Sequence, residues 1–481
     1  VHTYESLYVD GTWLEPSTTD RITVRSAATE EVIGEVAFGR EADVDSAVAA
    51  ARRAFDDPSG WAHWTPAERG KVLNRFADAL ASRSGEIATR VSSQNGMPII
   101  LSGPSEGTVP ANLLRYYAGL AQQLPAVESR RSMVTGTTEV RREPLGVVGA
   151  IVPWNFPQSL TFFKVAPALA AGCTVVLKPS SETVLDAMSI AEAAMEAGLP
   201  SGVLNIVPGS GSVVGARLVS HPGVDKVAFT GSTGAGRTIA ETCGRLLRPV
   251  TLELGGKSAG IILDDVDLSV AMKGMFHQTL LNQGQACFIS TRILAPRSRY
   301  DEVVDAFTDL ARSLRIGDPL DRDTRIGPLA SSTQRDSVES YIAKGKAEGG
   351  RITTGGGRPA GLDRGWFVEP TIFADVDNDA TIAREEIFGP VLAVIAYDDD
   401  AEAVRIANDS DYGLGGTVWT GDVERGHAVA RSVHTGSIGI NGFTMDPGAP
   451  FGGVKASGLG RELGPEGLMA YQELKSVYLP A

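Results

Sequence analysis

The residues predict an α/β protein built on parallel sheets, with two α/β domains and a small β element. Three observations carry this. Short β-branched runs without polar alternation recur between positions 147 and 263, the pattern of strands buried on both faces. Segments of helical periodicity separate them, as crossovers between parallel strands require. At 481 residues the chain exceeds what one core accommodates, so two or more packed domains are expected.

The elements follow in order. Residues 43–94 read as largely helical, and 128–143 as a polar stretch in which Ser132 to Val140 resembles an exposed hairpin. Val147-Val148-Gly149-Ala150-Ile151-Val152 reads as a buried strand, 159–171 as a helix, and Thr174-Val175-Val176-Leu177-Lys178 as the next strand. The helical pattern over 184–197 stops at Gly198-Leu199-Pro200, a strong C-terminal signal. Residues 203–207, 226–229 and 251–254 complete the strands. Such sheets bind ligands beyond the carboxyl ends of their strands. A second set of helices and strands runs from 267 to about 457, enough for another α/β domain. Leu474 to Leu479 is a further short strand. Exposed strands need a partner; a neighbouring subunit covering the hairpin and this last strand is favoured over a surface hairpin within one chain.

Composition narrows the function. The apolar fraction of 43% with 21% charged residues is ordinary for a globular protein. No apolar run reaches the roughly 18 residues of a spanning helix, and residues 1–13 lack the pattern of a signal peptide, so no membrane association is expected. The net charge of −14 argues against nucleic-acid binding and means that an anionic cofactor must be held by local donors. Cys173, Cys243 and Cys287 are few, odd in number and far apart, which suits a reducing cytoplasm better than a disulfide framework. No metal site is expected.

Two segments carry chemistry. Cys287 ends the run Asn282-Gln283-Gly284-Gln285-Ala286-Cys287, and Glu253 lies in Leu252-Glu253-Leu254-Gly255-Gly256-Lys257. A soft nucleophile and a potential general base, each framed by small or amide residues, point to covalent chemistry on a carbonyl. The dinucleotide signal is weaker. Gly209 to Gly215 misses the G-x-G-x-x-G spacing by one residue, and Gly231 to Gly236 misses it differently. Phe229-Thr230-Gly231-Ser232 nevertheless ends a strand and opens a helix, where backbone N–H groups meet a pyrophosphate well. For either glycine run alone, an ordinary strand-to-helix turn is the better reading.

These segments, with the closing run Pro450-Phe451-Gly452-Gly453-Val454-Lys455, resemble the signatures of the NAD(P)-dependent aldehyde dehydrogenase superfamily over nearly the whole chain. The resemblance implies a Rossmann-like parallel-sheet cofactor domain over 1–124 and 145–255, a second α/β catalytic domain over 256–457, and a β oligomerisation element over 125–144 and 458–481. It implies a homodimer or homotetramer that oxidises an aldehyde to the acid, with Cys287 as nucleophile, Asn155 as oxyanion donor and Glu253 activating water. Lys164 and Glu462 match a pair proposed to relay protons; a surface ion pair is an equal alternative. Lys178 matches the lysine on the adenosine ribose, Ser232 a pyrophosphate contact, and Glu386 and Phe388 the pair that positions the nicotinamide ribose. Ile151, Pro153, Trp154, Gly211, Gly215, Phe229, Gly231 and Leu254 are placed along the same cofactor. Ser181 departs from the pattern: NAD-selective members often carry Glu there, and here Glu182 comes one place later. NAD is expected, with NADP possible, because losing a carboxylate removes a like-charge penalty. Phe156, Phe163, Phe288, Phe443 and Phe451 align with the substrate channel and favour an apolar aldehyde. The alternatives are a coenzyme A-dependent acylating dehydrogenase, which typically lacks the equivalent of Glu253, a plain thiol hydrolase and a catalytically silent binding protein.

Overall fold

Five buried runs line up as parallel strands at the centre of an eight-stranded sheet. The computed structural model describes residues 1–480. The spatial order of the five is Val250–Glu253, Lys226–Thr230, Val147–Ile151, Thr174–Lys178 and Leu204–Ile206. The chain moves outward from Val147–Ile151 on one side, then returns to its other side. The order therefore reverses between Val147–Ile151 and Lys226–Thr230, the kind of crevice where open α/β sheets bind ligands. Antiparallel strands close both ends: Gly458–Leu459 beside Val250–Glu253, and Leu7–Val9 with Thr12–Leu14 beyond Leu204–Ile206.

Apolar helices cover this sheet. The helix Pro157–Ala171 is buried at every residue, its apolar majority broken by Gln158, Ser159, Thr161 and Lys164. It begins two residues earlier than the periodicity suggests, because Pro157 occupies the first helical position, where a missing N–H costs nothing. A second sheet of seven strands runs Arg351–Thr354, Thr371–Ala374, Val391–Tyr397, Ser290–Pro296, Ser258–Ile262, Gly416–Trp419 and Gly439–Ile440. All its pairings are parallel except the first. Separate apolar clusters fill its two faces.

The polar hairpin forms from Val127–Arg131 and Thr137–Pro144, with residues 132–136 as its turn. Gln472–Leu479 pairs antiparallel with Thr137–Pro144 along its full length, from Gln472 opposite Pro144 to Leu479 opposite Thr137. The two predicted exposed strands thus cover one another within a single chain. Their pairing with each other is a finding the sequence did not specify. The outer strands of this three-stranded sheet, Val127–Arg131 and Gln472–Leu479, each keep one edge unpaired among the described residues.

Candidate active site

Asn155 leaves the carboxyl end of Val147–Ile151 at the crevice, and two chain segments, 282–285 and the one ending at Asn95, grip it. Its Nδ2 donates to the Gln285 carbonyl at 3.1 Å. Its own carbonyl accepts from Asn282 Nδ2 at 3.1 Å and Asn95 Nδ2 at 3.3 Å. The segment before Cys287 is strained. Asn282 (φ 51°), Gln283 (φ 56°) and Gly284 (φ 77°) are consecutive left-handed residues, and the first two carry side chains that resist this by about 1–2 kcal/mol each. Distant contacts hold them there: Gln283 Nε2 donates to the carbonyls of Gly96 (2.9 Å) and Pro328 (3.0 Å), and Gln285 Oε1 accepts the Ala330 N–H (3.0 Å). A side chain at Gly284 would collide with the Gly389 backbone.

Cys287 and Asn155 face a cavity of about 530 Å³. All five phenylalanines aligned with the substrate channel line it, and Phe288 and Phe443 lie 5.5 Å apart, ring to ring. The opposite wall comes from Leu101, Pro104, Ser105 and Val109, and His277 is the lining's one ionisable side chain besides Cys287.

A buried carboxyl group acts on the sulfur. Glu253 ends its strand 2% exposed, and neither carboxylate oxygen has a hydrogen-bond partner. Gly452 (φ 154°) makes room for it: a Cβ there would sit 2.6 Å from Glu253 Oε1. Burial drives the Glu253 carboxyl well above the usual range; Glu462 adds to the shift, while Lys164 and Arg461 oppose it. Lys164 Nζ donates to Glu462 Oε1 at 2.7 Å and to Thr230 Oγ1 at 2.5 Å. This ion pair is fully buried, so the surface ion pair suggested as an alternative does not form. The Cys287 thiol is also pushed up, by burial first and then by the charges of Glu386 and Glu253.

The cofactor candidates gather across the crevice. Glu386 Oε1 accepts the Gly256 N–H at 2.9 Å, and burial lifts its carboxyl to about 7. Side chains at Gly255 and Gly256 would strike the Glu386 carboxylate and the Cys287 carbonyl respectively, so the double glycine lets both approach. Phe388, itself left-handed (φ 56°), packs edge-on against Trp154 at 5.3 Å. Lys178 is buried with only the neighbouring Pro179 carbonyl for its amine, and burial pushes it down to about 8 against the nearby charge of Glu182. Ser181 Oγ donates to the Gly209 carbonyl at 3.3 Å. Gly215 lies beside Lys178, its would-be Cβ 3.8 Å from Lys178 Cδ. Gly211–Gly215 forms a helical turn capped by Ser210, next to Ile151. Ser232 caps the helix Thr233–Arg245, whose first turn is open to solvent. A buried lysine without a carboxylate partner, an open helix N-terminus and a carboxylate at the crevice suit a dinucleotide's ribose and phosphate groups.

The aldehyde dehydrogenase family model matches residues 13–477. The chain belongs to the aldehyde dehydrogenase family. It is therefore an oxidoreductase that takes an aldehyde to the acid with a nicotinamide dinucleotide. A geranial dehydrogenase of Castellaniella defragrans is 57% identical over 99% of both chains. A Mycobacterium tuberculosis aldehyde dehydrogenase solved with NAD+ is 49% identical, covering 100% of this chain and 99% of its own, with a TM-score of 0.97. Aldehyde dehydrogenase C of Pseudomonas syringae, a cysteine-to-alanine mutant solved with NAD+ and octanal, is 41% identical over 98% of this chain and 96% of its own, with a TM-score of 0.92.

Several features of this dehydrogenase's site escape a reading of the sequence. Asn95, which holds the Trp154 and Asn155 carbonyls, sits in no recognisable motif. The wall from Leu101 to Val109 is plain apolar sequence. Gly452 stands in the closing run, yet its room-making role shows only in its φ. Cys173 and Cys243 are fully buried, away from the cavity that Cys287 faces.

Proposed function

We propose that this dehydrogenase oxidises an apolar aldehyde, of the size of an acyclic monoterpene aldehyde such as geranial, with NAD+ and water. The observation that carries it is the position of Cys287. The sulfur opens onto the phenylalanine-lined cavity on one side and feels the Glu253 and Glu386 charges on the other.

Once the Cys287 proton has passed to solvent, the thiolate attacks the aldehyde carbon, forming a C–S bond while the carbonyl π pair moves onto oxygen. Asn155 has a second Nδ2 hydrogen beyond the one given to Gln285, and with the Cys287 backbone N–H it receives the oxyanion. NAD+, when bound, supplies the acceptor for the hydride that leaves the substrate carbon. Lys178, Ser232, Glu386 and Phe388 hold it, with Ile151, Pro153, Trp154, Ser181, Gly211, Gly215, Phe229, Gly231 and Leu254 alongside. Glu253 then takes a proton from water, the hydroxide adds to the Cys287 thioester, and the C–S bond breaks to release the acid. Glu462 and Lys164 carry the proton onward. The sheet of Val147–Ile151 serves as the cofactor domain, the sheet of Ser258–Ile262 as the catalytic domain, and the three-stranded sheet as the oligomerisation element of a homodimer or homotetramer. Leu474 and Tyr478 stand exposed there, ready for a second copy. Three unpaired cysteines support a cytoplasmic setting.

A straight-chain series from propanal to octanal tests the substrate class. Each added methylene is expected to raise kcat/KM roughly fourfold until the cavity is full, at about 0.8 kcal/mol per buried CH2. A preference for aldehydes bearing a carboxylate would overturn the apolar assignment. We assign cofactor choice to Glu182, whose charge acts on Lys178 and would repel a 2′-phosphate bound beside that lysine. Glu182→Ala is expected to shift the NAD+ to NADP+ ratio of kcat/KM by roughly tenfold toward NADP+, about 1.4 kcal/mol. An unchanged ratio removes Glu182 from cofactor selection.

A further inference from the structure

We infer that Glu106 is a positioning residue for the oxyanion donor: its buried carboxylate seats the helix that follows Asn155 and ties it to the opposite wall of the aldehyde cavity. The inference rests on Asn155 being that donor.

The helix Pro157–Ala171 has a capping problem. Phe156 stands at its N-cap with no side-chain acceptor to offer, and the whole helix is buried. Its first N–H groups need partners, and water does not reach them. Glu106 supplies one from 52 residues upstream: its Oε2 accepts the Gln158 N–H at 2.8 Å and the Ser159 N–H at 3.4 Å. A carboxylate at a helix N-terminus also meets the positive end of the helix dipole.

Glu106 lies in the turn Gly103–Thr108, whose neighbours Pro104 and Ser105 form one wall of the cavity. Asn155, Phe156, Ser159 and Leu160 form the other. A second bond closes the same seam, from Ser159 Oγ to the Ser105 carbonyl at 2.9 Å. On the far side, Gln158 Nε2 donates to Asp186 Oδ2 at 2.7 Å, and Gln94 Nε2 to Asp186 Oδ1 at 2.9 Å. The residue after Gln94 is Asn95, which holds the Asn155 carbonyl. The Asn155 peptide is thus enclosed by one polar network, and Glu106 is the member that bridges to the substrate wall.

The choice of residue is costly for a plain cap. Glu106 is fully buried, its Oε1 has no partner, and no ion pair compensates it among the described residues. Burial pushes its carboxyl up to about 7, with Asp186 adding to the shift and the Gln158 and Ser159 hydrogen bonds opposing it. Local Ser or Asp caps solve the same problem at the surface without that cost. A carboxylate here serves geometry across the seam.

The test is a mutant cycle on the enzyme with Glu106→Gln, Asn155→Ala and the double variant. Two reactions are followed: aldehyde oxidation with NAD+, and hydrolysis of p-nitrophenyl acetate by Cys287 with no dinucleotide present. Glu106→Gln is expected to lower kcat roughly tenfold in both with KM nearly unchanged, a part of the about 100- to 1,000-fold that losing a donor outright costs. In the Asn155→Ala background it is expected to have no further effect. A wild-type kcat for Glu106→Gln, or an undiminished loss in the Asn155→Ala background, overturns the inference while leaving Asn155 in its role. A wild-type kcat for Asn155→Ala instead overturns the oxyanion assignment itself. Should Glu106→Gln fail to fold, Glu106→Asp is put through the same cycle with the same outcomes.

Discussion

Cys287→Ala is expected to lower aldehyde-dependent reduction of NAD+ by about four orders of magnitude or more, because a methyl group cannot form the C–S bond. Binding of the dinucleotide, measured by calorimetry, is expected to persist, since Lys178, Glu386 and the Ser232 helix start are untouched. Turnover within tenfold of the wild type would remove Cys287 from the chemistry. The wild-type thiol carries a further signature. Burial and the charges of Glu386 and Glu253 hold its proton on, so alkylation of Cys287 in the free enzyme is expected to be slow at neutral pH and to accelerate as pH rises.

Glu253→Gln is expected to separate acylation from hydrolysis. A burst of NADH equal to the enzyme concentration remains, while steady turnover falls by roughly 100- to 10,000-fold, the usual range for a lost general base. Acyl-enzyme identified by mass spectrometry on Cys287 checks this; steady turnover at the wild-type rate would assign water activation elsewhere. The pH dependence has a definite sign. The base works only when ionised and its carboxyl is raised, so hydrolysis rises with pH through that raised value and is lost below it. Stability runs the other way. The folded protein holds this proton more tightly than the unfolded chain, so the resulting stabilisation is present below the ordinary glutamate pKa and disappears as pH climbs through the raised one. The glutamine variant is therefore expected to melt higher than the wild type at neutral pH, trading activity for stability.

Much of the sheet carrying these residues is legible in the sequence because its information is local. Thr174–Lys178 is bounded by Gly172 and Pro179, and its strand matches the apolar run residue for residue. The Glu253 strand likewise runs into a double glycine. What stays hidden depends on residues far apart. Gln472–Leu479 finds Thr137–Pro144 more than 300 positions away, and no periodicity specifies a partner. The same holds for Lys164 and Glu462: each is an ordinary charged residue until the fold removes water from both. Gly452 and Asn95 show the complementary limit, since what they do is make room for, or hold, a group contributed by another segment.

The three left-handed residues before Cys287 have a consequence for how this motif can be used. Their conformation is held by Gly96 and Pro328 through Gln283, with Ala330 fixing the adjoining Gln285, so two stretches of the polypeptide far from this run impose it. A synthetic peptide spanning 282–287, or the same six letters grafted onto a foreign scaffold, would relax to right-handed or extended backbone and point its sulfur elsewhere. The signature is not a portable cassette; it becomes reactive only as the keystone of the completed arch.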